Sequence, residues 1–180
     1  MFKKILIALG GLLLLFVVGL TFAILLAPTE FAVEREIVIN KPRSEVFEYV
    51  RKLRNQNEWG PWFKREPTMH QEFRGTDGEP GFTVGWKSEL ESGVGEQEIK
   101  HIVENERIET ELRFKDPFES NSDSYIITEA VDEDRTKVKW GMKGSMPRPF
   151  NVFGLVMNIE SAIGKDYEEG LASLKSILEK

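Results

Sequence analysis

The sequence predicts an α+β fold: a curved, seven-stranded antiparallel sheet around a long C-terminal helix, two short helices after the first strand, and one N-terminal transmembrane helix. Three observations predict it. Residues 5–27 are an uncharged apolar run; residues 69–146 alternate with a period of two; and from Val152 to Leu178 apolar residues recur at helical spacing.

The apolar run holds Thr21 as its one polar side chain, and as a helix it measures about 35 Å, enough to cross the hydrocarbon core. Lys3 and Lys4 precede it, whereas Glu30 and Glu34 follow. The positive-inside rule therefore puts the short tail in the cytoplasm and residues 28–180 on the periplasmic or extracellular side. The rival reading is a cleaved signal peptide, but the small pair Thr21 and Ala23 is followed by the still-apolar Ile24, Leu25 and Leu26, which favours an uncleaved anchor. Residues 5–27 thus have the bilayer as partner. Gly19, Ala23 and Ala27 recur every fourth residue, a small-residue face through which two such helices can form a weak homodimer. The plainer reading is that Gly and Ala are common in spanning helices.

Hydrophobic residues make up 41% of the chain, and the first 27 positions take a disproportionate share of them. Lys3 and Lys4 are the only charges there, so residues 28–180 carry −8 where the whole chain carries −6. About 150 residues suit one core and leave little room for a second. An acidic surface without a Lys or Arg block argues against nucleic acid. The absence of cysteine removes disulfides, thiolate catalysis and Cys-ligated metal, and two histidines, His70 and His101, cannot build a metal site alone. Neither metal nor cofactor is expected.

Phe31, Val33, Ile37 and Ile39 alternate with polar neighbours to give a strand over residues 31–40, with Arg35 interrupting its apolar face. Pro42, followed by Val46, Phe47 and Val50, marks a helix over residues 43–51. A second covers residues 54–58, and the aromatic-rich segment 59–63 reads as a loop over an apolar surface. Met69, Gln71 and Phe73 share one face of the next strand; Phe82, Val84, Trp86 and Leu90 share that of another, after a turn at residues 78–81. Ile99, His101 and Val103 then point inward together, Asn105 marks a turn, and Ile108, Thr110, Leu112 and Phe114 alternate with Glu109, Glu111 and Arg113. Strands over residues 123–131 and 136–146 flank the turn at Asp132, Glu133 and Asp134, with Val138, Trp140 and Met142 facing in. Val152, Val156, Ile159, Ile163, Tyr167, Leu171, Leu174 and Leu178 form one continuous apolar stripe on the terminal helix.

This order resembles the helix-grip fold of the START/polyketide-cyclase (SRPBCC) superfamily across residues 31–180. The resemblance is carried by the opening strand with Lys41, Pro42 and Val46-Phe47 behind it, by Trp59 with Pro61, Trp62 and Phe63, by the strand ending at Trp140, and by the closing helix around Gly164, Tyr167 and Leu171. It implies a pocket for a hydrophobic ligand between helix and sheet, and more weakly an enzyme.

No nucleophile motif is present: Ser145, between Gly144 and Met146, reads as turn chemistry. Gly93-Val94-Gly95 opens like a dinucleotide fingerprint but has Glu98 at the third glycine. His101, on the apparent inward face, and Tyr125 are the candidates for proton transfer; the alternative for His101 is a hydrogen-bonded wall residue. His70 reads as exposed, and Glu89 and Glu91 as solvated surface beside Lys87. The aromatic and methionine side chains Trp59, Trp62, Phe82, Trp86, Phe114, Trp140, Met142, Phe153 and Met157 supply material for a cavity lining, or for an ordinary core. Gly154, Gly164 and Gly170 each cost a helix interior about 1 kcal/mol relative to Ala. Either the sheet approaches the helix closely there or, as expected at Gly164, space is left for a ligand. The function that follows is a membrane-anchored module holding a hydrophobic or amphipathic small molecule or a lipid-derived ligand; the alternatives are a polyketide-cyclase-like enzyme and a ligand-free envelope interaction protein.

Overall fold

The computed structural model describes residues 2–90, 93–116, 119–155 and 158–180. Its first element, helix α1 (Phe2–Leu26), is long and apolar enough to cross a membrane, and none of it is buried against the rest of the chain. Strand β1 (Glu30–Ile39) follows, then helices α2 (Arg43–Val50), α3 (Gln56–Trp59) and α4 (Pro61–Arg65), with a 3-10 turn at Leu53–Asn55. Strands β2 (His70–Arg74), β3 (Thr83–Lys87), β4 (Val94–Val103), β5 (Arg107–Asp116), β6 (Ser120–Ala130) and β7 (Thr136–Ser145) form consecutive antiparallel hairpins. A 3-10 turn at Phe150–Leu155 leads to helix α5 (Ile159–Leu178). The sheet order β1-β7-β6-β5-β4-β3-β2 leaves β1 and β2 on opposite edges, and α2, α3 and α4 make the crossing between them.

Period-two alternation places Val33, Ile99, Ile108, Ile126, Val138, Trp140 and Met142 on the concave face, all buried, and α5 meets them with Tyr167, Leu171 and Leu174. The convex face is wet and charged, as the Glu109, Glu111 and Arg113 alternation predicts. Asn105 sits at the β4–β5 turn with a positive φ of 60°, a conformation Asn tolerates better than most residues.

Three local expectations change. Residues 61–65 are helical, because Pro61 occupies the first helical position and Gly60 supplies the extended link (φ −66°, ψ 131°) that ends α3 and starts α4. The terminal helix starts at Ile159, where the Asn158 side chain accepts from the Ser161 N–H at 3.0 Å; Val152 lies ahead of it in a 3-10 turn, and Val156 lies outside the described residues. Leu90 is 69% exposed, since β3 ends at Lys87.

Arg35, the charge on the apolar face of β1, is accounted for by α5. Glu160, Gly164 and Glu168 repeat every fourth residue along one helix face. Arg35 donates through Nη1 to Glu160 (2.7 Å) and through Nε to Glu168 (2.6 Å), and a Cβ on Gly164 would fall inside its guanidinium. Gly164 therefore makes room for a bridge between the edge strand and the helix, and it opens no space for a ligand.

On the wet face Arg113 pairs with Glu96 (2.8 Å), Glu98 (2.8 Å) and Glu111, while Arg74 reaches Glu96 at 2.8 Å and Lys100 reaches Glu98 at 3.1 Å. Bonds from Arg74 and then Arg113 hold Glu96 below the usual carboxylate range, and bonds from Arg113 and then Lys100 do the same for Glu98. A carboxylate lowered by folding adds stability that is complete above its unfolded pKa, about 4.3, and disappears as pH falls through the lower folded value. The urea midpoint should therefore drop between pH 6 and pH 3, and Arg113→Ala should flatten that drop. Identical pH curves for the two proteins would refute the assignment.

Candidate ligand site

Between α4, α5 and the concave face lies a cavity of about 380 Å³. Its floor is a stack: the Trp140 and Tyr167 rings lie 3.9 Å apart at an interplanar angle of 4°. Trp62, brought over by α4, meets Trp140 (5.8 Å) and Tyr167 (6.2 Å) edge-on, and Phe63 joins it to cover the top. The far wall is Trp86 against Phe114, edge-to-face at 5.7 Å, with Val84, Leu112 and Met142 completing an apolar surface. Gly95 permits that wall, since a Cβ there would sit 2.5 Å from the Trp86 indole.

The polar groups inside are neutral. Gln97 donates through Nε2 to Thr110 Oγ1 at 3.0 Å, and Ser124 Oγ donates to the Gly141 carbonyl at 3.1 Å. Burial holds the Tyr167 phenol well above its ordinary pKa, with the neighbouring Ser124 hydroxyl opposing that rise. Gln56 is 6% exposed and lines the cavity, and its carboxamide makes no side-chain hydrogen bond among the described residues. Charge is confined to the rim, at Asp116 and Asp166. Arg65 of α4 binds Asp166 and also Glu169 (2.9 Å), and Lys64 donates to Ser173 Oγ, so the cover is tied to α5. Among the described residues no group of three or more His, Asp or Glu is placed to hold a metal.

Of the residues expected to line a cavity, Trp62, Trp86, Phe114, Trp140 and Met142 do so. Trp59 is fully buried behind the floor, edge-on to Trp140 at 4.7 Å, and its Nε1 has no hydrogen-bond partner among the described residues. Phe82 is buried against Phe73, 6.3 Å away, in the packed core beyond the cavity. Phe153 is 52% exposed on the turn before α5 and does not line the cavity. Met157 lies outside the described residues, and Gly164 faces Arg35.

Both proton-transfer candidates lie outside the cavity. The β4–β5 register slips between Ile99 and His101, so Lys100 is an extra residue that reverses the facing of everything after it. Ile102 turns inward and His101 is exposed. Tyr125 projects from the convex face, where its hydroxyl donates to Glu34 and burial, followed by that bond, pushes its pKa up to about 12. Alternation along β6 puts Ser124 inside and Tyr125 outside.

The sheet register fixes where the cavity opens. Glu30 of β1 pairs with Ser145 of β7, Ser122 of β6 with Gly144, Asp116 of β5 with Val94 of β4, and Lys87 of β3 with His70 of β2. These ends form one rim of the sheet, the rim at which α1 joins β1. The half-exposed lining residues Trp86, Phe114, Ser120, Ile163 and Asp166 lie at this rim, with the buried Met69 just ahead of β2 beside them, while Leu53 and Gln56 lie deep.

Residues 30–179 match the family model described as polyketide cyclase / dehydrase and lipid transport. Similar solved structures include the Zhui aromatase/cyclase from Streptomyces sp. R1128, with TM-score 0.62 and 12% identity over 83% of this chain and 94% of that one. A solution structure from Thermobifida fusca gives 0.61 and 19% over 82% and 92%. The Aha1 dimer from Colwellia psychrerythraea gives 0.57 and 13% over 83% and 96%. At these identities the likeness is one of fold. No curated protein matches the chain.

Proposed function

Because the chain belongs to the polyketide cyclase/dehydrase and lipid-transport family, we propose that residues 28–180 are a binding module for a hydrophobic or amphipathic small molecule, held at a membrane by an anchor in residues 1–27. One observation carries this reading: a cavity of about 380 Å³ walled by indole, phenyl and methionine side chains, with a few neutral hydrogen-bonding groups inside. Its volume falls in the range of roughly 300–1,000 Å³ typical of small-molecule sites, and its lining has the usual mix of many apolar groups and few polar ones. The Gln56 carboxamide, without a hydrogen-bond partner among the described residues, is placed to bond a ligand carbonyl or hydroxyl.

The interior supports carriage over cyclase chemistry. Its titratable group is Tyr167, which burial makes a weaker acid, whereas a general acid or base works best with a pKa near the operating pH. On α1, Gly19 and Ala23 remain available for self-association, but Ala27 is only 5% exposed and its carbonyl accepts from Asn151, so the domain itself occupies that end of the small-residue face.

Leu112→Trp is the discriminating variant, because it adds volume to the cavity wall. Native mass spectrometry of the full-length protein released from mild detergent should show one small-molecule adduct per chain, or one fatty-acid probe after incubation. The variant should reduce occupancy at least tenfold without loss of stability. A protein that takes up neither, and that Leu112→Trp destabilises by about 1–3 kcal/mol as an overpacked core would be, has no ligand cavity.

A further inference from the structure

The 3-10 turn Phe150–Leu155 is fastened to the end of α1. Arg148 donates to the carbonyls of Ile24 (Nε, 3.2 Å) and Leu25 (Nη2, 3.1 Å), and Asn151 Nδ2 donates to those of Ile24 (2.8 Å) and Ala27 (2.9 Å). These are carbonyls of the last helical turn and the residue after it, which lack helical partners and which a bilayer cannot satisfy. Asn151 itself is 1% exposed, so the joint is a built one. Beside it Phe153 is 52% exposed and Leu155 58% exposed, continuous with Leu25 (57%) and Leu26 (79%) on α1.

Length fixes the depth of this joint. The 25 residues of α1 rise about 37 Å, whereas the hydrocarbon core is about 30 Å thick, so the last turn of a spanning α1 lies at the interface. Side chains bonded to that turn are at the same level. We propose that the segment Phe150–Leu155 is a membrane-docking surface, with Phe153 and Leu155 inserted among the acyl chains and Arg148 at headgroup depth. The proposal rests on the reading of α1 as a membrane span. It gives the rim that carries the cavity mouth a second, non-covalent hold on the bilayer, so that the mouth faces lipid.

The chain has no cysteine, so single cysteines can be labelled cleanly in the full-length protein. An environment-sensitive nitrobenzoxadiazole label is attached at Phe153→Cys, at Leu155→Cys, at Leu14→Cys within α1, and at Glu133→Cys in the β6–β7 turn on the opposite rim. Each protein is placed in phosphatidylcholine nanodiscs with or without lipid carrying a doxyl quencher near the headgroup or deep in the chain. The shallow quencher should lower emission at positions 153 and 155 at least twofold and leave position 133 unchanged, while the deep quencher should act on position 14. Quenching at 14 with 153 and 155 behaving like 133 overturns the docking surface and leaves the anchor standing. No quenching at 14 refutes the anchor, and the docking surface with it. Blue-shifted but unquenched labels at 153 and 155 mean that protein, such as a second copy, covers them, which also overturns the proposal. Both residues are exposed, so folding is not at stake.

Discussion

Gly170→Leu should overpack the α5–sheet contact and cost about 3 kcal/mol. A Cβ at position 170 would lie 2.8 Å from Trp140 Cζ3 and 3.2 Å from Pro61 Cδ. Neither neighbour can retreat: Trp140 is held by Tyr167 on one face and by the edges of Trp59 and Trp62, and Pro61 is fixed at the start of α4. Even Gly170→Ala, which would gain about 1 kcal/mol in an exposed helix, should destabilise here. Urea denaturation of the full-length protein followed by circular dichroism measures both variants. An alanine variant more stable than the parent would show that α5 does not approach the sheet this closely.

Trp140→Ala should cost about 3–5 kcal/mol and change binding as well as stability. Trp140 is 4% exposed and is both the floor of the cavity and the ring on which Tyr167 stacks. Its loss removes that stack, leaves Trp59 without its edge partner and enlarges the space above. The variant should fall far in urea midpoint and, where still folded, accept bulkier probes than the parent. Leu112→Trp alters the same cavity from the opposite wall without touching the stack, so it should separate the two effects. Equal stability losses in the two variants would mean that the cavity walls are one continuous packed core.

The strands were legible because alternation reports which face is dry, and the clearest run, Ile108 to Phe114, lies in β5 as read. The closing helix was legible from its stripe, though its start was not: apolar spacing continues through Val152, and only the cap Asn158 marks the break. Alternation points His101 to the wrong face because it assumes an unbroken register. The signal lay in the sequence, since Ile99 and Ile102 are three apart, a spacing that period two cannot bring to one face without a bulge. In the sequence Gly164 reads as empty space because its partner, Arg35, lies on a distant strand; Glu160 and Glu168 flanking it at four-residue intervals are the available clue. Aromatic identity foretold burial of Trp59 and Phe82 but not which buried rings border a gap, because a gap is a property of several elements packing together. The polar lining was missed for a related reason: Gln56, Gln97 and Ser124 look like surface residues until helix and sheet close over them.

Only residues 27–29 separate α1 from β1, and such a stretch reaches at most about 10 Å. Arg148 and Asn151 remove most of that slack by gripping the helix end directly. With α1 in a bilayer, the module has no tether on which to travel outward. On the proposed function it would then encounter cargo and partners by lateral diffusion in two dimensions, and whatever received its ligand would itself have to come to the membrane surface. Lengthening the 27–29 segment with glycine and serine would convert a stationary dock into a tethered shuttle.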